Sequence, residues 1–144
     1  MLHGHILRWH KRSIDHSSKC DAFYTGRKED VVRGVLYHID PREKRQLDAA
    51  EGLGHGYDER SLDILSPIGN LRVYAYIATD IDDKLHPYDW YKEYVVAGAR
   101  LHGLPAEYVG TLSNISAITD PDRERADQEW VFIQGEMERI KKQI

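Results

Sequence analysis

The order of the hydrophobic patterns along the chain limits its fold more than any other feature. Alternating apolar residues, which are typical of strands, lie mostly before residue 80, and apolar residues at helical spacing dominate after residue 86. We predict five strands, over residues 5–10, 20–25, 31–39, 59–65 and 71–79, with the last two joined as a hairpin around Pro67-Ile68-Gly69-Asn70. Strands that come first and helices that gather late indicate an α+β fold.

Four helices are predicted from their spacing and end signals. The first begins at Asp40-Pro41, where Asp40 can act as the cap, and it ends at Gly52. The second runs over residues 87–101, the third begins at Pro105, and the last opens at Asp120-Pro121 and runs towards the end of the chain. The last helix carries apolar residues in alternating steps of four and three, at Ala126, Trp130, Ile133, Met137, Ile140 and Ile144. We expect this stripe to pack on apolar surface of its own domain or of a second copy.

Composition excludes several classes of protein. A length of 144 residues fits one domain, over residues 1–144, and a net charge of −4 gives no general reason to bind nucleic acid. No apolar run approaches the roughly 20 residues that cross a bilayer, and the lone Cys20 fits a reducing compartment. We therefore expect a cytoplasmic protein with no nucleic-acid or membrane partner. The short run His10-Lys11-Arg12 is interpreted as a solvated loop.

The clearest candidate for chemistry is Glu51. Leu47, Ala50 and Glu51 fall on one helical face, which we expect to be buried, and burial would raise the pKa of the carboxyl above its usual value of about 4.3. Three glycines follow in the segment 52–56, where backbone can approach a ligand closely. A carboxyl with a raised pKa beside such a turn suits general acid–base catalysis. On spacing alone, the favoured interpretation is a helix-ending Glu paired with a neighbouring Arg and followed by a flexible turn.

Two other kinds of site are disfavoured. The G-x-G-x-G pattern follows a helix rather than a strand and lacks a following Lys-Ser/Thr, so it does not predict a dinucleotide or phosphate site. The eight histidines have no spacing typical of a compact metal site. We expect neither a metal nor an organic cofactor.

Two segments carry a resemblance to a known family. Residues 34–57, GVLYHIDPREKRQLDAAEGLGHGY, resemble the segment of γ-glutamyl cyclotransferases with "LD..EG" and a closing Tyr. Residues 87–108, PYDWYKEYVVAGARLHGLPAEY, resemble the later "Y…GA…GLP..Y" segment of the same family. The resemblance extends over roughly residues 4–118, and the two signals together are specific.

The resemblance implies a fold and an activity. The fold would be a small mixed β-barrel with flanking helices. The enzyme would cyclise a γ-glutamyl group to 5-oxoproline and release an amino acid or amine. Glu51 would be the catalytic acid and base, and Tyr57, Tyr91 and Gly52 would contact the substrate. A ligand-binding module of the same fold without turnover is the alternative function.

The family also has a strand and a Tyr-Gly-Ser-Asn-type loop that this sequence does not contain. We expect an upstream extension to encode them, because the apolar residues 5–10 would otherwise form an unprotected edge strand. Two surfaces are candidates for a homodimer contact: this open strand edge and the last helix.

Overall fold

The computed structural model describes residues 1–141, with side chains described up to Arg139, in two compact units that divide between Leu85 and His86. The first unit holds all the described strands and one helix, and the second holds three helices. This arrangement confirms the α+β class. That residues 1–144 form one domain stays a prediction.

The first unit is built from short antiparallel ladders. Its elements are β1 (Leu2–His3), β2 (His5–Arg12), β3 (Ser18–Tyr24), β4 (Val31–Val32), α1 (Lys44–Glu51), β5 (Tyr57–Ser66) and β6 (Gly69–Ala78). Strand β1 pairs with β4, β2 with β3, and β5 with β6. Single contacts link the ladders: Lys11 bridges Ile81, and the Asp21 carboxylate accepts a hydrogen bond from the Ala78 amide at 2.9 Å. The described ladders do not trace a closed barrel, and barrel closure stays a prediction.

The β5–β6 hairpin follows directly from its sequence pattern. Leu71, Val73, Ala75 and Ile77 are partly buried, and the residues between the first three of them are exposed, as the alternation predicts. Pro67 and Ile68 form the two-residue turn, and Gly69 follows it with φ +114°. The hairpin is confirmed, with strands longer than predicted.

Three local predictions are wrong. Of the expected strand 31–39, only Val31 and Val32 are paired, because β1 has only two residues to pair with them. Val35, Leu36 and Tyr37 are exposed. Helix α1 begins at Lys44 rather than at Pro41. The Asp40 carboxylate instead accepts hydrogen bonds from the Arg42 amide and guanidinium, so it does not cap the helix.

The run His10-Lys11-Arg12 is also not a solvated loop. All three residues belong to β2, and His10 is only 3% exposed. The register shifts between Trp9 and Lys11, so that His10 is the extra residue of a β-bulge.

The second unit contains α2 (Asp89–Leu101), α3 (Ala106–Ser113) and α4 (Arg123–Lys141). Ile133 of α4 packs in a core with Tyr88 and Trp90, and the neighbouring Ala126, Trp130 and Met137 are packed against that core. The described part of the apolar stripe therefore packs on its own unit. The side chains of Ile140 and Ile144 lie outside the described residues. None of the helices within residues 1–141 is both long and apolar enough to cross a bilayer.

Candidate active site

Glu51 is the last residue of α1, and the chain turns sharply after it. Gly52 adopts a left-handed conformation (φ +69°) that a glycine accepts without strain. The amides of Gly52 and Leu53 donate to the carbonyls of Ala49 and Asp48, at 3.2 and 2.9 Å, which is the Schellman pattern of a helix end. The predicted helix end at Gly52 is confirmed.

The Glu51 side chain is half-buried, and this burial raises the pKa of its carboxyl. The positive charge of Lys11 opposes the rise but does not cancel it. The expectation that an apolar helix face buries Glu51 is wrong, because Ala50 is exposed, Leu47 is only half-buried and no residue of α1 is fully buried. The raised pKa is nevertheless the property that general acid–base chemistry at neutral pH requires.

The turn from Gly52 to Gly56 uses most of its backbone donors internally. Four of its five amides donate within the chain: those of Gly52 and Leu53 to the end of α1, that of Gly54 to Tyr57 O and that of His55 to Gly52 O. The Gly56 amide has no acceptor among residues 1–141, whereas its carbonyl accepts from Thr79 at 2.9 Å. Gly56 is buried, and within residues 1–141 its N–H is the amide of this turn that is not already used in a hydrogen bond.

Lys11 lies beside this turn, at the end of β2. Gly56 has φ +131°, a conformation that favours glycine, and a Cβ there would come 3.0 Å from Lys11 Cε and 3.2 Å from Lys11 Nζ, so the end of the lysine would have to shift slightly. The Lys11 ammonium also lies 4.7 Å from the centre of the Tyr57 ring, within the range of a cation–π contact. Lys11, Glu51, Gly56 and Tyr57 therefore form one cluster in the first unit, here called the Glu51 cluster.

Tyr57 is a buried part of this cluster and begins β5. Its hydroxyl donates a hydrogen bond to the Cys20 carbonyl at 2.8 Å, which ties β5 to β3. Burial and the charge of Glu51 raise the pKa of the Tyr57 hydroxyl, so it stays protonated and remains a donor. The contact of Tyr57 with Lys11 is made by its ring.

A polar network centred on the buried His10 and Asp21 links β2, β3 and β6 close to Lys11 and Tyr57. His10 Nε2 lies 2.9 Å from an oxygen of Asp21, and His10 Nδ1 lies 3.1 Å from an oxygen of Asp83. Asp21 is 3% exposed and also accepts from the Ala78 amide, and Ala78 pairs with Tyr57. These contacts hold the end of β2 and the start of β5 in place, so that the Glu51 cluster rests on rigid backbone.

The other predicted residues have different surroundings. Gly52 is half-buried with its amide in the helix cap. Tyr91, on α2 of the second unit, is half-buried and makes an edge contact with Trp90 at 6.1 Å between ring centres. That Tyr91 and Gly52 contact the same substrate as Glu51 stays a prediction. A separate cavity of about 590 Å³ lies between the 35–39 segment and β6, and neither Glu51 nor Tyr57 lines it.

Sequence reasoning did not identify Lys11 as part of the site. The signal available was weak: extending the predicted strand by one residue would have placed Lys11 in it. The bulge at His10 breaks the alternation at this point, so the direction of the Lys11 side chain cannot be read from a period of two.

Comparisons with known proteins agree with this architecture. Residues 31–112, more than half of the chain, match the model of the AIG2-like family. A solved structure of a gamma-glutamyl cyclotransferase is similar with a TM-score of 0.77 and 20% identity, covering 93% of this chain and 81% of that one. The crystal structure of an uncharacterized protein from Homo sapiens is similar with a TM-score of 0.72 and 24% identity. The similarity covers 81% of this chain and 72% of that chain. At these identities the structural likeness shows the fold alone.

No curated protein matches the sequence. The family model and the fold together confirm the resemblance seen in the two sequence segments. The chain belongs to the AIG2-like family.

Proposed function

We propose that this protein is a γ-glutamyl cyclotransferase, with Glu51 as its general base and general acid. The observation that carries the proposal is the half-buried Glu51 carboxyl with its raised pKa, placed at the turn that the AIG2-like match spans. The similarity in fold to a gamma-glutamyl cyclotransferase supports the same reaction class. The substrate would be a γ-glutamyl amino acid or a γ-glutamyl amine, and the site would need no cofactor.

The reaction moves two protons from the substrate α-ammonium to the departing nitrogen. The substrate α-amine, with a usual pKa of about 8, is mostly ammonium at neutral pH and must lose a proton before it can attack. In the proposed mechanism the Glu51 carboxylate accepts that proton, and the amine nitrogen forms a bond to the γ-carbonyl carbon. Protonated Glu51 then delivers the proton to the departing nitrogen as its bond to carbon breaks. The ring nitrogen then gives up a second proton, which Glu51 takes up in the same way and passes to the released amine. The products are 5-oxoproline and the protonated amine, and Glu51 returns to its carboxylate form.

Negative charge develops on the γ-carbonyl oxygen during this reaction, and a hydrogen-bond donor would stabilise it. The Gly56 amide is the donor of the 52–56 turn that has no acceptor among the described residues. We assign it this role. Tyr57 would support the site through its ring, since its hydroxyl is bound to Cys20.

A second candidate function is a binding module of the same fold that has no turnover. The internal use of the other four amides in the turn favours it, because few backbone donors remain for the oxyanion. Such a module would bind γ-glutamyl compounds without releasing 5-oxoproline.

An assay of 5-oxoproline release separates the two functions. The wild-type protein would be incubated with a panel of γ-glutamyl amino acids and γ-glutamyl amines, beside Glu51→Gln and the matched control Glu29→Gln, at an exposed loop position. Gln is nearly isosteric with Glu but cannot relay a proton, so Glu51→Gln should lose roughly 10²- to 10⁴-fold in rate. Glu29→Gln should keep the wild-type rate. A Glu51→Gln protein with undiminished turnover would exclude Glu51 from the mechanism.

A further inference from the structure

We propose that the Lys11 ammonium binds the α-carboxylate of the γ-glutamyl group at the Glu51 cluster. This inference rests on the proposed function, because it takes the γ-glutamyl group as the ligand. It adds a requirement that the reaction alone does not impose: the ligand must carry a free carboxylate on its α-carbon.

The environment of Lys11 leaves its charge available to a ligand. Among residues 1–141, the Lys11 ammonium forms neither an ion pair nor a hydrogen bond with a carboxylate. Two other lysines of the first unit are already paired. Lys19 donates to Asp15 at 2.8 Å, and Lys44 contacts both Asp48 and Glu59. Lys11 is half-buried as a residue, and its ammonium can form charge-assisted hydrogen bonds with an incoming carboxylate.

The position of Lys11 is fixed from two sides. The Tyr57 ring lies 4.7 Å from Nζ on one side, and Gly56 brings the backbone close to Nζ on another. Glu51 and Lys11 lie at the two ends of the same turn, since Glu51 directly precedes Gly52 and Lys11 approaches Gly56. The positive charge of Lys11, which acts to lower the pKa of the Glu51 carboxyl, agrees with this placement. A ligand whose amine reaches Glu51 therefore has Lys11 within reach of its other α-substituent, since the amine and the carboxylate share one carbon atom.

The chemistry of the substrate fits this arrangement. The α-carboxyl has a usual pKa of about 3.5, so it is an anion at neutral pH. A carboxylate paired with Lys11 would fix the orientation of the α-carbon and direct the adjacent amine towards Glu51. The positive charge of Lys11 would also favour the neutral, attacking form of that amine over its ammonium form.

Binding of two matched probes tests the proposal without requiring turnover. The probes are 5-oxoproline, which carries the α-carboxylate, and 5-oxoprolinamide, which carries a neutral amide in its place. Titration calorimetry would compare the wild-type protein with Lys11→Met and with the control Lys28→Met, an exposed lysine of the first unit. Wild type and Lys28→Met should bind the acid about 10- to 100-fold more tightly than the amide, as expected for one charge-assisted hydrogen bond. Lys11→Met should bind both probes equally weakly.

Turnover measured on the same variants distinguishes this proposal from the proposed function. Lys11→Met should raise KM for a γ-glutamyl amine while leaving the KM of its α-carboxamide analogue unchanged. Lys11→Arg should restore part of the preference for the substrate with the α-carboxylate. A preference for the acid that persists in Lys11→Met, or a wild-type protein that binds neither probe, would overturn the proposal. Lys11-dependent binding of 5-oxoproline without any turnover would support this proposal and contradict the proposed enzyme. Circular dichroism would confirm that each variant is folded.

Discussion

Replacing Tyr57 by Phe separates the structural role of its hydroxyl from a role in substrate contact. The change removes one hydrogen bond, the 2.8 Å contact from the hydroxyl to the Cys20 carbonyl, and keeps the buried ring. A buried neutral hydrogen bond contributes about 1 kcal/mol, and an acceptor left without its donor adds to the loss. We therefore expect the free energy of unfolding to fall by about 1–2 kcal/mol.

The same variant should keep its turnover. Phe retains the aromatic face under the Lys11 ammonium, so the geometry of the Glu51 cluster should be preserved. Tyr57→Leu is the matched variant that removes this face. Its free energy of unfolding should fall by about a further 1–2 kcal/mol, which includes the loss of the cation–π contact. It should also weaken the binding of 5-oxoproline.

Urea titration followed by circular dichroism would give the unfolding free energies, and 5-oxoproline release would give the rates. A Tyr57→Phe protein as stable as wild type but 100-fold slower would refute this reasoning. That result would mean that the hydroxyl serves the substrate rather than the Cys20 carbonyl.

Three further predictions concern stability and pH. Asp120, only 1% exposed, accepts from an arginine and a tryptophan side chain, so Asp120→Asn should cost about 2–3 kcal/mol of unfolding free energy in urea titration. Ile133→Ala should cost about 2–4 kcal/mol because it opens a cavity in the second unit, whereas Val131→Ala, at a 70% exposed position, should change little. Because the folded-state pKa of Glu51 lies above its ordinary value of 4.5, its contribution to stability is present below pH 4.5 and lost as pH rises through the folded pKa. Glu51→Gln should therefore be more stable than wild type at neutral pH and equally stable at pH 4; greater stability of wild type at neutral pH would contradict this.

The parts of the fold that could be predicted are those set by local patterns. The β5–β6 hairpin has apolar residues at every second position and a short turn, so its register follows from the sequence. The end of α1 at Gly52 is specified by a glycine in the left-handed conformation. Glu51 could be identified for the same reason, because it precedes that glycine directly.

The parts that could not be predicted depend on partners distant in sequence. Residues 31–39 have the composition of a strand, but only Val31 and Val32 are paired, with the two residues of β1. The position of Lys11 depends on the bulge at His10, and the acceptor of the Tyr57 hydroxyl is a carbonyl 37 residues away. None of these contacts leaves a periodic signal in the sequence.

The central claim is that the Glu51 cluster cyclises a γ-glutamyl group. Proton NMR of the wild-type protein with a γ-glutamyl amine would identify the products directly. Intramolecular attack by the α-amine predicts 5-oxoproline and free amine in equal amounts, no glutamate, and neither product from Glu51→Gln. Glutamate in place of 5-oxoproline would mean that water, rather than the α-amine, attacks the γ-carbonyl, and an unchanged substrate that nevertheless binds would mean that the protein is a binding module.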